Sequence, residues 1–528
     1  MTLKKLLLYL LICAVIGVIA GEFMGAILVK NSNKFLLKEQ AWIETNGYIG
    51  VPGTRLKREL SDWGTCFKAG LFFALSLGLA YGLLWGLLFI LIKAIIANLP
   101  QKFFNPDDPK LKIARYFAFV PLFILLLFYF IDTSWKALLP FGFFILITPI
   151  VFYIVLFNFF GYKADYYYKK FYIYLLGFII FFSLTAFLFT SYLSARDFIR
   201  VRDQILLKNK WGKNISRFYY QYTLYAAEVI KPFTKKLQVS IKLDESILSC
   251  QEVARIKKLL IRHDIFPGAD APSGYILKKE GDAIQILSSH SDVIIETDIS
   301  SFLNSIELFF TDFEEKIDRA RFLRFFIKVS LFYCLPIFLI MVLYLVFLTL
   351  VHTLYSFFLE HNALFETGVT VSLLLISLII IRLAFSHPSS ILTVGQEIDI
   401  ITGKKEGDRI GALLSIAEKG KREGEKALLS PYIPQIVSMI KDNDPIVRKY
   451  GIIFIRKVDY KKAVDILIVA LKDPDFNVAY NAARALGAYH SRKAIKPLLE
   501  ILHNSAQWYL QLNAYCALKR LGWRQGTG

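Results

Sequence analysis

The chain has 528 residues, of which 55% are hydrophobic, 15% aromatic and 20% charged, and its mean hydropathy is +0.47. Soluble domains hold about 45–50% apolar and about 25% charged residues, so this balance argues against an ordinary soluble globule and for lipid as part of the solvent. A formal net charge of +20, from 63 basic and 43 acidic residues, fits the cationic loops and lipid-facing ends of a polytopic protein before it fits nucleic-acid binding.

A membrane span needs about 20 mostly apolar residues. Six or seven stretches qualify, at about 6–29, 69–97, 116–131, 137–160, 171–192, 326–351 and 368–385. The third is short and the fourth carries Pro140 and Pro149, so this pair reads either as two spans or as a re-entrant hairpin. The first follows Lys4 and Lys5 as a signal peptide would, but it stays apolar through Val29 and reads as an uncleaved anchor. Five cysteines, Cys13, Cys66, Cys250, Cys334 and Cys516, are scattered without metal-site or redox spacing, and no structural disulfide is expected.

Small residues recur every four positions in the first two spans: Gly17, Gly21 and Gly25, then Gly70, Ala74, Gly78, Gly82 and Gly86. That step puts each series on one helix face, a glycine-zipper pattern that lets another backbone approach closely. Whether the partner is the other helix or another subunit is open, and so is the oligomeric state. Glu22, inside the first apolar run, is a candidate intramembrane polar site, read against a location near the interface and pairing with Lys30.

Residues 193–324 form a polar insert. A long helix over 194–237, broken near Pro232, leads to a strand at Gln238–Leu243 and a helix at 250–263. Tyr275–Lys279 and Ala283–Ser288 read as a hairpin, Asp292–Thr297 as a further strand, and 300–324 as a helix entering the membrane. The result is a small α+β domain, with His263 and His290 read as isolated surface or loop histidines. Lys316, Arg319, Arg321, Arg324 and Lys328 before the sixth span, and a loop at 353–366 without Lys or Arg, put that loop outside and both 193–324 and 386–528 in the cytoplasm. The side of the N-terminus stays open: seven spans place it outside, against Lys4 and Lys5.

The tail repeats itself at a period of 31 residues. Ile433, Val464 and Ile495 align, as do Ile436, Leu467 and Leu498, and Ile440, Leu471 and Leu502. After turns at Asp442–Asp444 and Asp473–Asp475, second helices align through Val447, Gly451 and Ile455 with Val478, Ala482 and Leu486. Leu510, Ala514 and Leu518 follow at a period of 32. Over about 430–523 this pattern resembles the short HEAT repeats related to those of phycobilisome lyases. The third copy, with Ser505 and Gln507 for the aspartates, is expected to be a terminal cap, and 408–429 an N-terminal capping helix. The resemblance implies a protein-binding surface and no reaction. Arg448, Lys449, Lys457, Lys461, Lys462, Arg492, Lys493 and Lys496 form the candidate partner surface, suited to an acidic protein or the anionic leaflet.

The sequence holds no P-loop, metalloprotease, hydrolase-elbow or kinase motif, so no catalytic, cofactor-binding or metal-ligating residue is named and no cofactor is called for. The fold class expected is a polytopic α-helical membrane protein with a small α+β insert, a two-span hairpin at 325–385 and a helical repeat solenoid. The leading function is a bacterial inner-membrane scaffold that recruits a cytoplasmic protein, with membrane lipids as its other partners and nucleic acid disfavoured. The alternatives are a transporter or channel subunit using the glycine-faced helix pair, and an enzyme acting on a lipid-linked substrate.

Overall fold

The computed structural model describes residues 3–83, 228–246, 249–318, 320–331, 335–356, 363–385, 392–407 and 409–525, with isolated residues in between. The expected spans at 116–131, 137–160 and 171–192 lie outside these residues except for Gly177 and Ile180. The described chain is mostly helical, with one small mixed sheet and a C-terminal stack of helix pairs.

Helix α1 (Leu3–Thr45) is 43 residues long, which at about 1.5 Å per residue is about 65 Å. A tight loop and the short helix α2 (Thr54–Ser61) turn the chain back into α3 (Trp63–Phe73), which continues through a π-helical turn at Ala74–Gly78 to Leu83. The two small-residue series meet here. A Cβ on Gly21 would stand 2.7 Å from the Gly78 Cα and one on Gly70 2.8 Å from the Ala26 nitrogen, while one on Gly17 would collide with the Gly78 carbonyl. Opposite this seam, Val15, Ile19, Phe23 and Ile27 form an exposed apolar stripe along α1.

The stretch 326–351 is divided between an amphipathic helix α7 (Arg321–Val329) and α8 (Leu335–Ser356), which starts with Pro336 at a position where its missing N–H costs nothing. The Ser330 hydroxyl donates to the Ser76 carbonyl, which lies within the π-turn. Helix α9 is Ala363–Phe385, so the expected loop at 353–366 is shorter than the sequence suggested and Glu366 belongs to a helix. Glu366 is buried against α8, its carboxylate 3.1 Å from His352 Nδ1. Among the described residues three helices are long and apolar enough to cross a bilayer: Tyr9–Thr45, Trp63–Leu83 and Phe338–Tyr355; Leu364–Ser377 is apolar but shorter.

The insert is a five-stranded sheet of order β2-β1-β3-β4-β5. β1 (Val239–Leu243) pairs in parallel with β2 (Ile265–Gly268) and β3 (Tyr275–Glu280); β4 (Ala283–Ser288) and β5 (Val293–Asp298) add antiparallel. Strand β2 was not foreseen because it contains Pro267. As the edge strand it can carry a residue with no amide donor. Between β1 and β2, α4 (Cys250–Arg262) starts with a Ser249–Glu252 capping box. Lys279 and the Ser249 amide hold the Glu252 carboxyl down to about 2. The expected single helix over 300–324 is three: α5 (Ile299–Asn304), α6 (Ile306–Ile317) and α7, broken where Ser305 (φ −137°, ψ 47°) and Asp318 (ψ 78°) leave helical geometry. Phe302, Phe309, Phe310 and Phe313 pack the sheet face.

His263 caps the end of α4, with Nδ1 3.7 Å from Glu307. Burial lowers its pKa; Glu307 opposes the shift and Lys519 adds to it. A histidine that binds a proton less readily when folded contributes fully above its unfolded value of about 6.5, and that contribution is lost as pH falls below it. Chemical denaturation of wild type should therefore show stability dropping from pH 7 to 5.5, and His263→Gln should flatten this part of the profile. An unchanged slope would place the titrating group elsewhere.

Candidate functional site

The C-terminal stack is built from three helix pairs: α13 (Ile433–Met439) with α14 (Pro445–Val458), α15 (Val464–Ala470) with α16 (Phe476–Ala488), and α17 (Ile495–Asn504) with α18 (Trp508–Arg520). The repeat columns are its core, since Ile436, Leu467, Leu498, Ile455, Leu486 and Leu518 are all fully buried. The Asp–x–Asp turns have two jobs. Asp442 accepts from the Asp444 amide at 2.8 Å while Asp444 caps α14, and Asp473 and Asp475 repeat this for α16. In the third turn Ser505 accepts from the Gln507 amide at 3.0 Å and takes over the first job.

The units are locked by arginines. Arg448 makes a two-pronged pair with Asp473 of the next repeat, at 2.7 and 3.0 Å, and donates to the Asp442 carbonyl. This pairing raises the Arg448 pKa further. Arg409 of α11 (Arg409–Glu423) pairs with Asp442 through one guanidinium nitrogen and donates Nε–H to the Ile401 carbonyl, tying the preceding helices α10 (Val394–Ile401), α11 and α12 (Glu425–Leu429) to the stack. Arg448 and Lys449 therefore leave the candidate partner surface: the first is committed to the lock, and the second is buried against Tyr450. The expectation for them failed because charge alone does not reveal which face of α14 lies inward. Lys457, Lys462, Arg492, Lys493 and Lys496 are exposed along the edge that carries the inter-repeat loops. Lys461 is in the same loop as Lys462.

The third repeat does not end in solvent as a cap would. Residues 46–53, which join α1 to α2, lie across it. The Gly53 amide donates to Gln511 Oε1 at 2.9 Å, and Gln511 Nε2 donates to the Ser505 carbonyl at 2.7 Å. Gln511 thus repeats the local bond of Arg448, six residues after its acceptor, but reaches the N-terminal loop where Arg448 reaches the next repeat. Gln525 exchanges two 2.9 Å hydrogen bonds with the backbone of Ile49, and Arg55 donates to the Asn504 carbonyl. The loop therefore stands where a fourth repeat would stand.

The insert joins the same junction. Gln238 accepts from the Val51 amide and donates to the Ile49 carbonyl, both at 2.8 Å. On α1, Glu39 accepts from the Ser240 amide and hydroxyl, Gln40 donates to Gln238, and Trp42 donates to Asp270. From α18, Tyr515 donates to Asp264 at 2.6 Å and Lys519 pairs with the same carboxylate. Burial, helped by the Asp264 charge, holds the Tyr515 hydroxyl far above the usual phenol range, so it stays a donor. Gln238, Gln40, Gln511, Tyr515 and Glu39 are all buried. None of them was singled out from the sequence; the signal available was their polarity at positions flanked by core residues.

Two open features remain on the stack. A groove of about 480 Å³ lies between α15 and α17, lined by Ile468, Leu471, Pro497, Ile501 and Arg55 among others. Beside it Val469 is exposed. In α1, Glu22 Oε2 is buried without a hydrogen-bond partner among the described residues, and Lys30 lies 3.5 Å over the Trp63 ring instead of against Glu22. Among the described residues no group of three or more His, Cys, Asp or Glu could hold a metal ion.

A family model for HEAT repeats matches residues 433–519. No curated protein and no solved structure matches the chain. HEAT repeats suggest a protein-interaction or scaffold role.

A Cβ on Gly53 would run into the Leu502 carbonyl. Gly53→Val should therefore release the stack from the loop while leaving the repeats folded. Hydrogen exchange should then rise at 49–53 and along the outer face of α18, with the Leu467 and Leu486 helices still protected. Equal protection in both proteins would contradict the docking.

Proposed function

We propose that the chain is a polytopic inner-membrane scaffold whose HEAT-type stack recruits a cytoplasmic protein. The observation that carries the reading is the continuity of α1. It leaves its apolar run at Val29, continues 16 residues or about 24 Å to Thr45, and holds both the insert and the stack at its tip. Exposed apolar stripes on α1, on α8 (Leu339, Leu343, Val346, Leu350, Leu354) and on α9 (Leu373, Ile376, Ile379) support lipid as their surroundings. The short Asp–x–Asp form of the repeats, like that of the phycobilisome lyases, contributes only the protein-binding role to this reading.

The hydrogen-bonded junction supports one topology. Residues 46–53, the insert and the stack bond to one another, so they share one side of the bilayer. With that side cytoplasmic, α1 crosses from outside to inside, α3 returns, and α8 and α9 form a further pair. The N-terminus is then outside, in spite of Lys4 and Lys5. A cysteine at Thr2 in the full chain should react with a membrane-impermeant maleimide added to intact cells; protection there, with labelling only after lysis, would reverse the topology. Recruitment is tested by in-cell crosslinking of the full chain. Crosslinked peptides should join residues 433–519 to a cytoplasmic protein, and crosslinks confined to this chain and to membrane proteins would contradict the role.

A transport role is the second reading, favoured by the unpartnered Glu22 oxygen and by the π-turn at Ala74–Gly78, a type of helix defect frequent at functional sites. Cysteines at Leu75 and Leu79 should be labelled by a polar thiol reagent if a water path runs along this helix, and uniform protection would remove the reading.

A further inference from the structure

Building on the scaffold reading, we propose that the partner presents an acidic, extended segment that docks along the inter-repeat edge of the stack. The sequence places a basic pair in each inter-repeat loop, Lys461–Lys462 and Arg492–Lys493, one period of 31 apart, and Arg524 falls in register with Arg492 in the loop after the third repeat. Lys462, Arg492, Lys493, Lys496 and Arg524 are exposed, with Lys457 beside them. Two exposed acids interrupt the edge, Asp459 and Asp465, and Asp465 faces Lys493 at 3.7 Å. The cations outnumber them, and the field of the edge is positive.

Two anionic partners could answer such a field, a lipid surface or a protein segment, and the geometry separates them. The chain runs along α18 from Ile49, bonded to Gln525, to Gly53, bonded to Gln511, and then down α2 to Leu60, whose carbonyl accepts from Asn33 of α1. Asn33 lies just past the apolar run that ends at Val29. The turn edge of the stack, which carries Ser505 and Asn504, is thus the membrane-proximal one. The loop edge lies at the level of Ile49 and the α1 tip. That tip is about 24 Å of helix beyond Val29, against a Debye length of about 8 Å at physiological salt. Headgroup charge is screened before it reaches the basic edge, and a soluble partner's charge is not.

Spacing adds a requirement. Neighbouring repeats pack at interaxial distances of about 8–10 Å, and an extended chain of the polyproline II kind advances about 3.1 Å per residue with three residues per turn, so every third side chain faces the same way. A carboxylate at every third residue therefore meets one repeat after another, which a neutral segment cannot do.

The test uses the full chain in nanodiscs of neutral lipid. The probe is a fluorescent 12-residue peptide with Glu at every third position among Ser and Gly, and its Gln counterpart is the control. Anisotropy should show binding of the Glu peptide that weakens between 50 and 200 mM salt. It should weaken by about tenfold or more in Lys462→Glu/Arg492→Glu/Lys496→Glu, with Lys472→Glu on the opposite edge binding as wild type and serving as the folding control. Equal binding of both peptides, or indifference to the triple reversal, overturns the inference. So does co-sedimentation with phosphatidylserine vesicles that the triple reversal abolishes while peptide binding stays unchanged, which would make the edge a lipid contact. Photo-crosslinkers at Arg492 and at Val469 distinguish this inference from the reading beneath it. A cytoplasmic protein captured from Val469 alone overturns the edge and leaves recruitment standing, whereas capture from neither position removes recruitment itself.

Discussion

The insert and the repeat stack meet the loop after α1 through one recurring contact: glutamine carboxamides acting as stand-in peptide groups for its backbone. Residues 49–53 form neither helix nor strand, yet 50–53 are buried and Ile49 is half-buried, and a buried backbone amide or carbonyl must find a partner. Gln238 from the insert and Gln511 and Gln525 from the stack supply them, with two bonds from Gln525 to Ile49 alone. Leaving one such buried group unpaired costs about 1–3 kcal/mol. Because the three donors and acceptors come from segments more than 180 residues away in sequence, their pairing fixes the insert and the stack to the end of α1 together.

The pairing of α1 with α3 follows a different physics. Helices α1 and α3 hold together through close backbone approach along glycines that leave no room for a Cβ. That seam stiffens the base of α1, and the remaining turns carry its tip clear of the apolar run. Where α3 departs from regular geometry, at Ala74–Gly78, a hydroxyl from Ser330 satisfies the Ser76 carbonyl, coupling the seam to the segment that links the insert with α8.

Much of this architecture was legible in the residues. The repeat register was readable because each column holds one inward position, and Leu467, Leu486, Leu498 and Leu518 are buried as the period requires. The strands at 239–243, 275–280, 283–288 and 293–298 carried their own alternation or turn signals. The junction was not legible, since its parts look like ordinary polar residues until the fold brings Gln238, Gln511 and Ile49 together. Glu366 was read as a loop residue because charge near a span end usually lies in a loop, whereas here His352 across the hairpin gives it a partner inside the helix. Arg448 and Lys449 were misjudged for the complementary reason: basic residues on a repeat helix look solvated, and only the stacking shows that Asp473 of the next repeat claims one of them.

The account stands on the repeat stack being held against the tip of α1. Spin labels at Ala41 and His503, in a full chain whose Cys250 and Cys516 are replaced by serine, measure that separation directly by pulsed electron resonance. A single narrow distance distribution is predicted. A broad or multi-peaked one would mean that the stack moves independently of the helix, and the junction would lose its role.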